Sequence, residues 1–136
     1  LSDYNNNANS YAGWYAGIIQ RIKSVRKDSM IFCITNPNGA NNEWNQVIKK
    51  LVTKFNEYYG KTTIWLVDLA TYNPITSDIS SKCNLNGHLS AFGYLYSCYQ
   101  ISSYIDWIIR NNIDGFRGTS LIGTGAVVNN FDTFLL

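Results

Sequence analysis

The sequence predicts an α/β domain in which helices cover both faces of a parallel sheet. Segments with helical spacing of apolar residues alternate with short apolar segments rich in β-branched residues, in the order helix, strand, helix, strand, loop, helix. Both strand segments are apolar throughout, which is typical of parallel strands that are buried on both faces. A chain of 136 residues is long enough for one such domain.

The first part of the chain is predicted to form one helix and one strand. The helix begins at Asn9 or Ser10, either of which would cap its N-terminus, and it continues to about Lys27. Its apolar residues recur three or four positions apart, at Trp14, Ile18, Ile22 and Val25. The strand covers residues 30–35, and the turn-forming sequence Asn-Pro-Asn-Gly follows it.

The next part is predicted to add a helix, a strand, a long loop and a last helix. The helix covers about 42–59, and Gly60 stands where a C-terminal cap belongs. A strand at 63–68 follows at once. Residues 71–87 are polar and turn-rich, and a connection of this length is often functional. The last helix begins at Ser90 or Ala91 and ends near residue 111.

Two strands are too few for a sheet that is covered on both faces. Either the glycine-containing C-terminal residues supply another strand, or strands that precede Leu1 are absent from this chain. We favour the second interpretation, because the C-terminal residues show no clear periodicity.

Charge and composition argue against several partners. The chain has 11 basic and 9 acidic side chains without a basic stripe, so no nucleic acid is expected as a partner. The densest basic group is interpreted as the solvated face and end of the first helix, and it comprises Arg21, Lys23, Arg26 and Lys27. No apolar run approaches the about 20 residues that span a bilayer, so no membrane is expected either. Three cysteines and one histidine do not suggest a metal site or a cofactor, and a Cys83–Cys98 disulfide stays open.

His88 is the only histidine, and it stands between the long loop and the last helix. In open α/β sheets ligands bind at the carboxyl ends of the strands, where this loop should lie. The partial positive charge of a helix N-terminus favours neutral imidazole, the form that acts as a general base. Alternatively, His88 caps the helix or fills the loop, and its position alone leaves both interpretations open.

Several segments together resemble the SGNH (GDSL-type) hydrolase superfamily, most closely its versions in gut bacteria and phage-associated proteins. They are Ile-Phe-Cys-Ile-Thr-Asn-Pro at 31–37, Val-Asp-Leu at 67–69, and Gly-His-Leu-Ser at 87–90 followed by Gly93 and Tyr94. The resemblance covers about residues 1–124, and it leaves 125–136 as a tail that packs on the body or on a partner. It implies a flavodoxin-like three-layer α/β/α fold around a parallel sheet, here without its N-terminal strand or strands.

The resemblance also implies a serine esterase that removes acyl groups, acetyl groups of carbohydrates among them, without a metal or cofactor. His88 matches the position of the family's catalytic base, and Leu85 stands where the family has the aspartate that orients it. Further candidate residues are Asn86, the polar residue nearest to that position, and Ser2 and Asp3, which align with the Asn-Asp of the family's oxyanion motif.

The family's nucleophilic serine precedes the part of the fold that this chain resembles. The implied partners are therefore a complementing N-terminal polypeptide segment and an acylated carbohydrate. The alternative is a degenerate, non-catalytic carbohydrate-binding or structural assembly module on the same fold. Both interpretations favour a secreted, cell-surface or virion-associated protein.

Overall fold

A computed structural model describes residues 9–37 and 42–116 of the chain, which form a mixed α/β structure. The elements in chain order are α1 (Tyr11–Val25), β1 (Ile31–Ile34), α2 (Glu43–Tyr59), β2 (Ile64–Val67), α3 (Leu69–Tyr72), α4 (Ser77–Cys83), β3 (Asn84–Leu85), β4 (His88–Leu89), α5 (Ala91–Asn111) and α6 (Ile113–Phe116).

The strands β1 and β2 pair in parallel, with Ile31 opposite Ile64 and Ile34 opposite Val67. Parallel neighbours need a crossover connection, and α2 supplies it. Because alternate side chains of a strand point to opposite faces, the apolar residues of the two strands fill two separate cores.

The two cores lie on opposite faces of this strand pair. The buried residues of the first core come from α1, α2 and the strands, and they are Ala16, Ile19, Cys33, Ile48, Leu51, Val52, Phe55 and Ile64. Those of the second core, on the side of α5 and α6, are Val67, Leu69, Ile108 and Phe116, with Phe32 and Trp65 packed against them. Helices therefore cover both faces of the two described parallel strands.

Local capping signals determine where the long helices begin and end. The side chain of Ser10 accepts a hydrogen bond from the backbone N–H of Gly13, and Asn42 caps α2 in the same way. Gly60 ends α2 in the left-handed conformation, with φ of 63°. Ser90 caps α5, which ends at Asn111. These boundaries confirm the predicted ones to within two residues.

The interpretation of Lys23 as part of a solvated helix face is wrong. Its side chain is only 5% exposed, and its Nζ donates to the backbone carbonyls of Lys27 and Ser29. The ammonium also lies 5.5 Å from the ring centroid of Tyr59. Burial, together with the positive charge of Lys61, lowers the pKa of Lys23. The predicted apolar stripe of α1, in contrast, is exposed, and it comprises Trp14, Ile18, Ile22 and Val25.

The prediction of a loop at 71–87 is also wrong. This part of the chain contains the end of α3, the whole of α4 and most of a β-hairpin. Helix α4 has few apolar residues, and it is held by the fully buried Cys83 and by packing against α5. The predicted tail at 125–136 and the candidate residues Ser2 and Asp3 lie outside the described residues.

Candidate functional site

A two-residue β-hairpin presents His88. Strands β3 and β4 are antiparallel, and Leu85 is directly opposite His88. The turn consists of Asn86 and Gly87, which both have positive φ, of 50° and 81°. Two positive φ values are typical of a type I′ turn, whose preferred sequence is Asn-Gly. Asn86 therefore has a structural role in the turn, and its side chain is exposed.

The hairpin is attached to α4 through the first turn of α5. The backbone N–H of Ser90 donates to the carbonyl oxygen of Cys83 over 2.7 Å, and the Ser90 hydroxyl donates to the carbonyl of Lys82. The same hydroxyl accepts from the N–H of Gly93 at 3.0 Å. A Cβ atom at Gly93 would lie 2.1 Å from the Cys83 carbonyl oxygen, so only glycine allows this approach. The motif residues Ser90 and Gly93 thus fix the position of the hairpin.

The imidazole of His88 is exposed at the end of this hairpin. Among the described residues no hydrogen bond or ion pair of the imidazole is found, and the opposite side chain, Leu85, offers no acceptor. Both ring nitrogens are therefore available to a group that approaches from solvent or from another polypeptide segment. A free ring nitrogen is what proton transfer by a histidine side chain requires.

The carboxyl end of β2 carries a different polar centre, built around Asp68. This buried carboxylate accepts from Lys49 Nζ at 2.7 Å and from Thr35 Oγ1 at 3.1 Å. It also accepts from the backbone N–H of Thr71 at 3.2 Å, which caps α3. Burial raises the pKa of Asp68, but the hydrogen bonds from Lys49, Thr71 and Thr35 outweigh burial and bring its pKa below the usual value.

The polar groups at the carboxyl end of β1 are paired in a similar way. The buried amide of Asn45 donates to the carbonyl of Asn36 at 3.0 Å and accepts from its N–H at 2.8 Å. The hydroxyl of Thr35 accepts from the N–H of Ala70 at 2.9 Å. These side chains join the ends of β1 and β2 to the helices that follow them, which is a structural role.

His88 and Asp68 do not interact with each other. None of the hydrogen bonds or ion pairs of Asp68 involves the histidine. Tyr104 of α5 lies against the backbone of Asp68, whereas His88 precedes the first residue of α5, Ala91. At 1.5 Å per residue, about 20 Å of helix separates Tyr104 from Ala91. Asp68 is therefore not the carboxylate partner of His88.

A groove between α3 and α5 went unpredicted. Its volume is about 410 Å³, and it is lined by Tyr72, Asn73, Gln100, Ser103, Tyr104 and Trp107. The four lining residues of α5 recur at helical spacing, so they share one face of the helix. That spacing is visible in the sequence. The sequence did not indicate α3, the other wall of the groove, because this helix has only four residues.

Three further features considered in the sequence are a disulfide, a metal site and a membrane-spanning helix. Cys83 and Cys98 are both free thiols, the first buried and the second exposed. Residues 9–37 and 42–116 contain no group of three His, Cys, Asp or Glu side chains that could hold a metal ion. The same ranges contain no helix long and apolar enough to cross a membrane.

Comparison with models of protein families, with curated proteins and with solved structures gives no match for this chain.

Proposed function

We propose that this chain is the C-terminal part of an SGNH-type serine esterase domain, with His88 as the general base. The presentation of His88 carries this proposal. The imidazole stands exposed on a hairpin that Ser90 and Gly93 attach to the rest of the fold. A general base needs a fixed position in the fold and a free ring nitrogen for its substrate. The contacts of Ser90 and Gly93 hold the backbone of the hairpin in place, and no described residue occupies the ring nitrogens of His88.

The proposal includes a flavodoxin-like fold that another polypeptide segment completes. The outer edge of β1 is a suitable place for such a segment. The N–H groups of Ile31 and Thr35 point towards β2, so those of Phe32 and Ile34 point to the opposite edge. No described strand pairs with that edge. The residues of β1 are uncharged and apolar, without the lysine, proline or bulge that commonly protects an exposed edge strand.

In the proposed reaction the serine is supplied by the completing segment. Its Oγ attacks the acyl carbonyl carbon while its proton moves to His88. When the tetrahedral intermediate collapses, the C–O bond to the alcohol breaks, and the imidazolium returns the proton to the leaving alkoxide. A water molecule then attacks the carbonyl carbon of the acyl-enzyme while His88 accepts a proton from it. The bond between the acyl carbon and the serine Oγ breaks, the imidazolium returns its proton to that Oγ, and the carboxylic acid leaves.

Leu85 favours a second candidate, a non-catalytic module on the same fold. In a two-residue hairpin the residue three positions before His88 is its cross-strand neighbour. An aspartate at that position could contact the imidazole and stabilise its protonated form, whereas leucine cannot. A base without such support is weaker, so loss of catalysis in this chain is consistent with leucine at this position.

The coding sequence upstream of Leu1 provides the first test. The esterase proposal expects a strand followed by Gly-Asp-Ser there, and a reading frame without these features would refute it. The second test is labelling of the product of the whole reading frame with a fluorophosphonate. Mass spectrometry should locate the label on that serine.

The third test measures hydrolysis of an acetyl ester by the wild type and by His88→Ala. Loss of general base catalysis should lower kcat/KM by about 100-fold or more, and added imidazole should restore part of it. Equal rates would exclude His88 from the reaction.

Leu85→Asp and Leu85→Asn form a matched pair of variants for the same assay. They have nearly the same shape, but only the aspartate can stabilise the imidazolium. If His88 is the base, Leu85→Asp should be faster than Leu85→Asn. A non-catalytic module would show no difference.

A further inference from the structure

We infer that the groove between α3 and α5 is a binding site for an uncharged saccharide. The groove lies beside the carboxyl end of β2, since Tyr72 and Asn73 are at the end of α3, which follows that strand directly. Ligands of α/β proteins commonly bind near this edge. Its volume of about 410 Å³ is within the range of small-molecule sites, about 300–1,000 Å³. The inference is independent of the proposed esterase activity, because the groove does not include His88.

Aromatic rings form the apolar part of the groove. Tyr72 is 67% exposed and Trp107 is 62% exposed, although both are large enough to gain much from burial. Tyr104 stands between them, with ring centroids 6.3 Å from Tyr72 and 6.2 Å from Trp107. These contacts hold the rings in place at the groove. The C–H groups on one face of a pyranose ring pack well on exposed aromatic faces of this kind.

Two amides form the polar part. Asn73 Nδ2 donates to Gln100 Oε1 over 2.7 Å, and this bond fixes the orientation of both amides. The side-chain oxygen of Asn73 and the NH₂ group of Gln100 then remain as one acceptor and one donor on two residues that line the groove. Ser103 adds an exposed hydroxyl at the same groove. Vicinal hydroxyls of a sugar, which both donate and accept, match such an arrangement.

The uncharged lining of the groove favours neutral polar ligands over charged ones. All six described lining residues are uncharged, so an anionic or cationic ligand would find no opposite charge in them. The nearest charged residues of α5, Asp106 and Arg110, bind each other at 2.7 Å. A ligand with a net charge would lose hydration without ionic compensation. A neutral saccharide has no such cost.

The test is a titration of the protein with neutral and charged sugars. The probes are methyl β-D-glucopyranoside, cellobiose and N,N′-diacetylchitobiose, with glucuronic acid and glucosamine as charged controls. NMR should show at least one neutral probe shifting the side-chain amide signals of Asn73 and Gln100 and the indole N–H signal of Trp107. A Kd of about 1 mM is sufficient for this measurement. The charged sugars should bind more weakly than the neutral sugar of the same size.

Trp107→Ala and Trp14→Ala are the matched variants. The two tryptophans are similarly exposed, at 62% and 66%, but Trp14 lies on α1 and does not line the groove. Trp107→Ala should weaken binding about fivefold to tenfold, and Trp14→Ala should leave Kd unchanged. Gln100→Leu should also weaken binding, while circular dichroism should show both α5 variants folded.

The inference would be overturned by any of three results. The first is that no neutral probe shifts the side-chain amide signals or the indole signal. The second is that the charged sugars bind as tightly as the neutral ones, and the third is that Trp107→Ala binds as tightly as Trp14→Ala.

Discussion

Gly93→Ala should destabilise the fold, because it adds a methyl group where α5 approaches α4 most closely. The new Cβ would lie 2.1 Å from the carbonyl oxygen of Cys83, 2.9 Å from its carbonyl carbon and 3.1 Å from its Cα. These are backbone atoms, so a whole segment must move by nearly 1 Å to bring the separation to 3.0 Å, the shortest that Cβ atoms normally show. That movement also stretches the 2.7 Å hydrogen bond from Ser90 to Cys83.

The size of the effect follows from three contributions. Overpacking of this kind costs about 1–3 kcal/mol. A weakened hydrogen bond adds up to about 1 kcal/mol, and the better helix propensity of alanine returns about 1 kcal/mol. We therefore expect the free energy of unfolding to fall by about 2 kcal/mol.

Gly17→Ala is the matched control, since it is the same substitution in another helix. A Cβ at Gly17 would have no neighbour within 4 Å, so only the propensity gain remains. We expect this variant to be more stable than the wild type by about 0.5–1 kcal/mol. Urea unfolding followed by circular dichroism measures both variants. With a slope of about 1–3 kcal/mol per molar urea, their midpoints should differ by about 1 M or more.

If Gly93→Ala proved as stable as Gly17→Ala, the close approach of α5 to α4 would be disproved. The position assigned to the His88 hairpin would then lose its support, because the same contacts hold it.

Two further predictions concern Asp68 and the hairpin turn. Asp68→Asn should lower the free energy of unfolding by about 2–3 kcal/mol, because it leaves Lys49 without its carboxylate in a partly buried position. The pKa of Asp68 is lower in the folded state than in the unfolded chain. Its carboxylate therefore stabilises the fold fully above the unfolded-state pKa of about 3.9, and this stabilisation is lost as the pH falls through the folded-state pKa. The variant and the wild type should then become equally stable in acid. A stability difference that persists unchanged at low pH would contradict this account. Gly87→Ala should lower the free energy of unfolding by about 1 kcal/mol, because Gly87 has a φ of 81°. Asn86→Gly should change it little, because glycine also adopts positive φ. Equal urea midpoints for the two variants would exclude the type I′ turn.

Elements with strong local signals could be predicted from the sequence. The second long helix, α2, has an asparagine cap at Asn42, one apolar face and Gly60 at its end, and it was predicted almost to the residue. Helix α4 lacks such signals, since its sequence Ser-Asp-Ile-Ser-Ser-Lys-Cys is short and polar, and tertiary packing of Cys83 stabilises it. The hairpin does have a local signal, the Asn-Gly pair at 86–87, which the polar character of the surrounding loop obscured.

Periodicity identified α1 as a helix but did not identify the face that packs against the core. The large apolar residues Trp14 and Ile18 are exposed, and the smaller Ala16 lies in the core with Ile19. Lys23 is buried beside them because its Nζ binds carbonyls at the end of the helix. A helix with apolar residues on two faces can bury either one, so the choice depends on neighbours that the local sequence does not contain.

The polar residues of the candidate site divide into two groups by how many of their hydrogen-bonding groups are already used. Asp68 and Asn45 are buried and bind other parts of the fold, so a ligand could bind them only by breaking bonds that hold the strand ends in place. The hairpin holds the backbone of His88, and a mutual hydrogen bond holds the amides of Asn73 and Gln100. All three side chains still have hydrogen-bonding groups that no described residue uses. Position at the carboxyl end of a strand would favour Asp68 as the functional residue. The number of unpaired hydrogen-bonding groups favours His88 and the groove beside α5. It is the more direct criterion, because ligand binding and proton transfer both require a donor or acceptor that is not already paired.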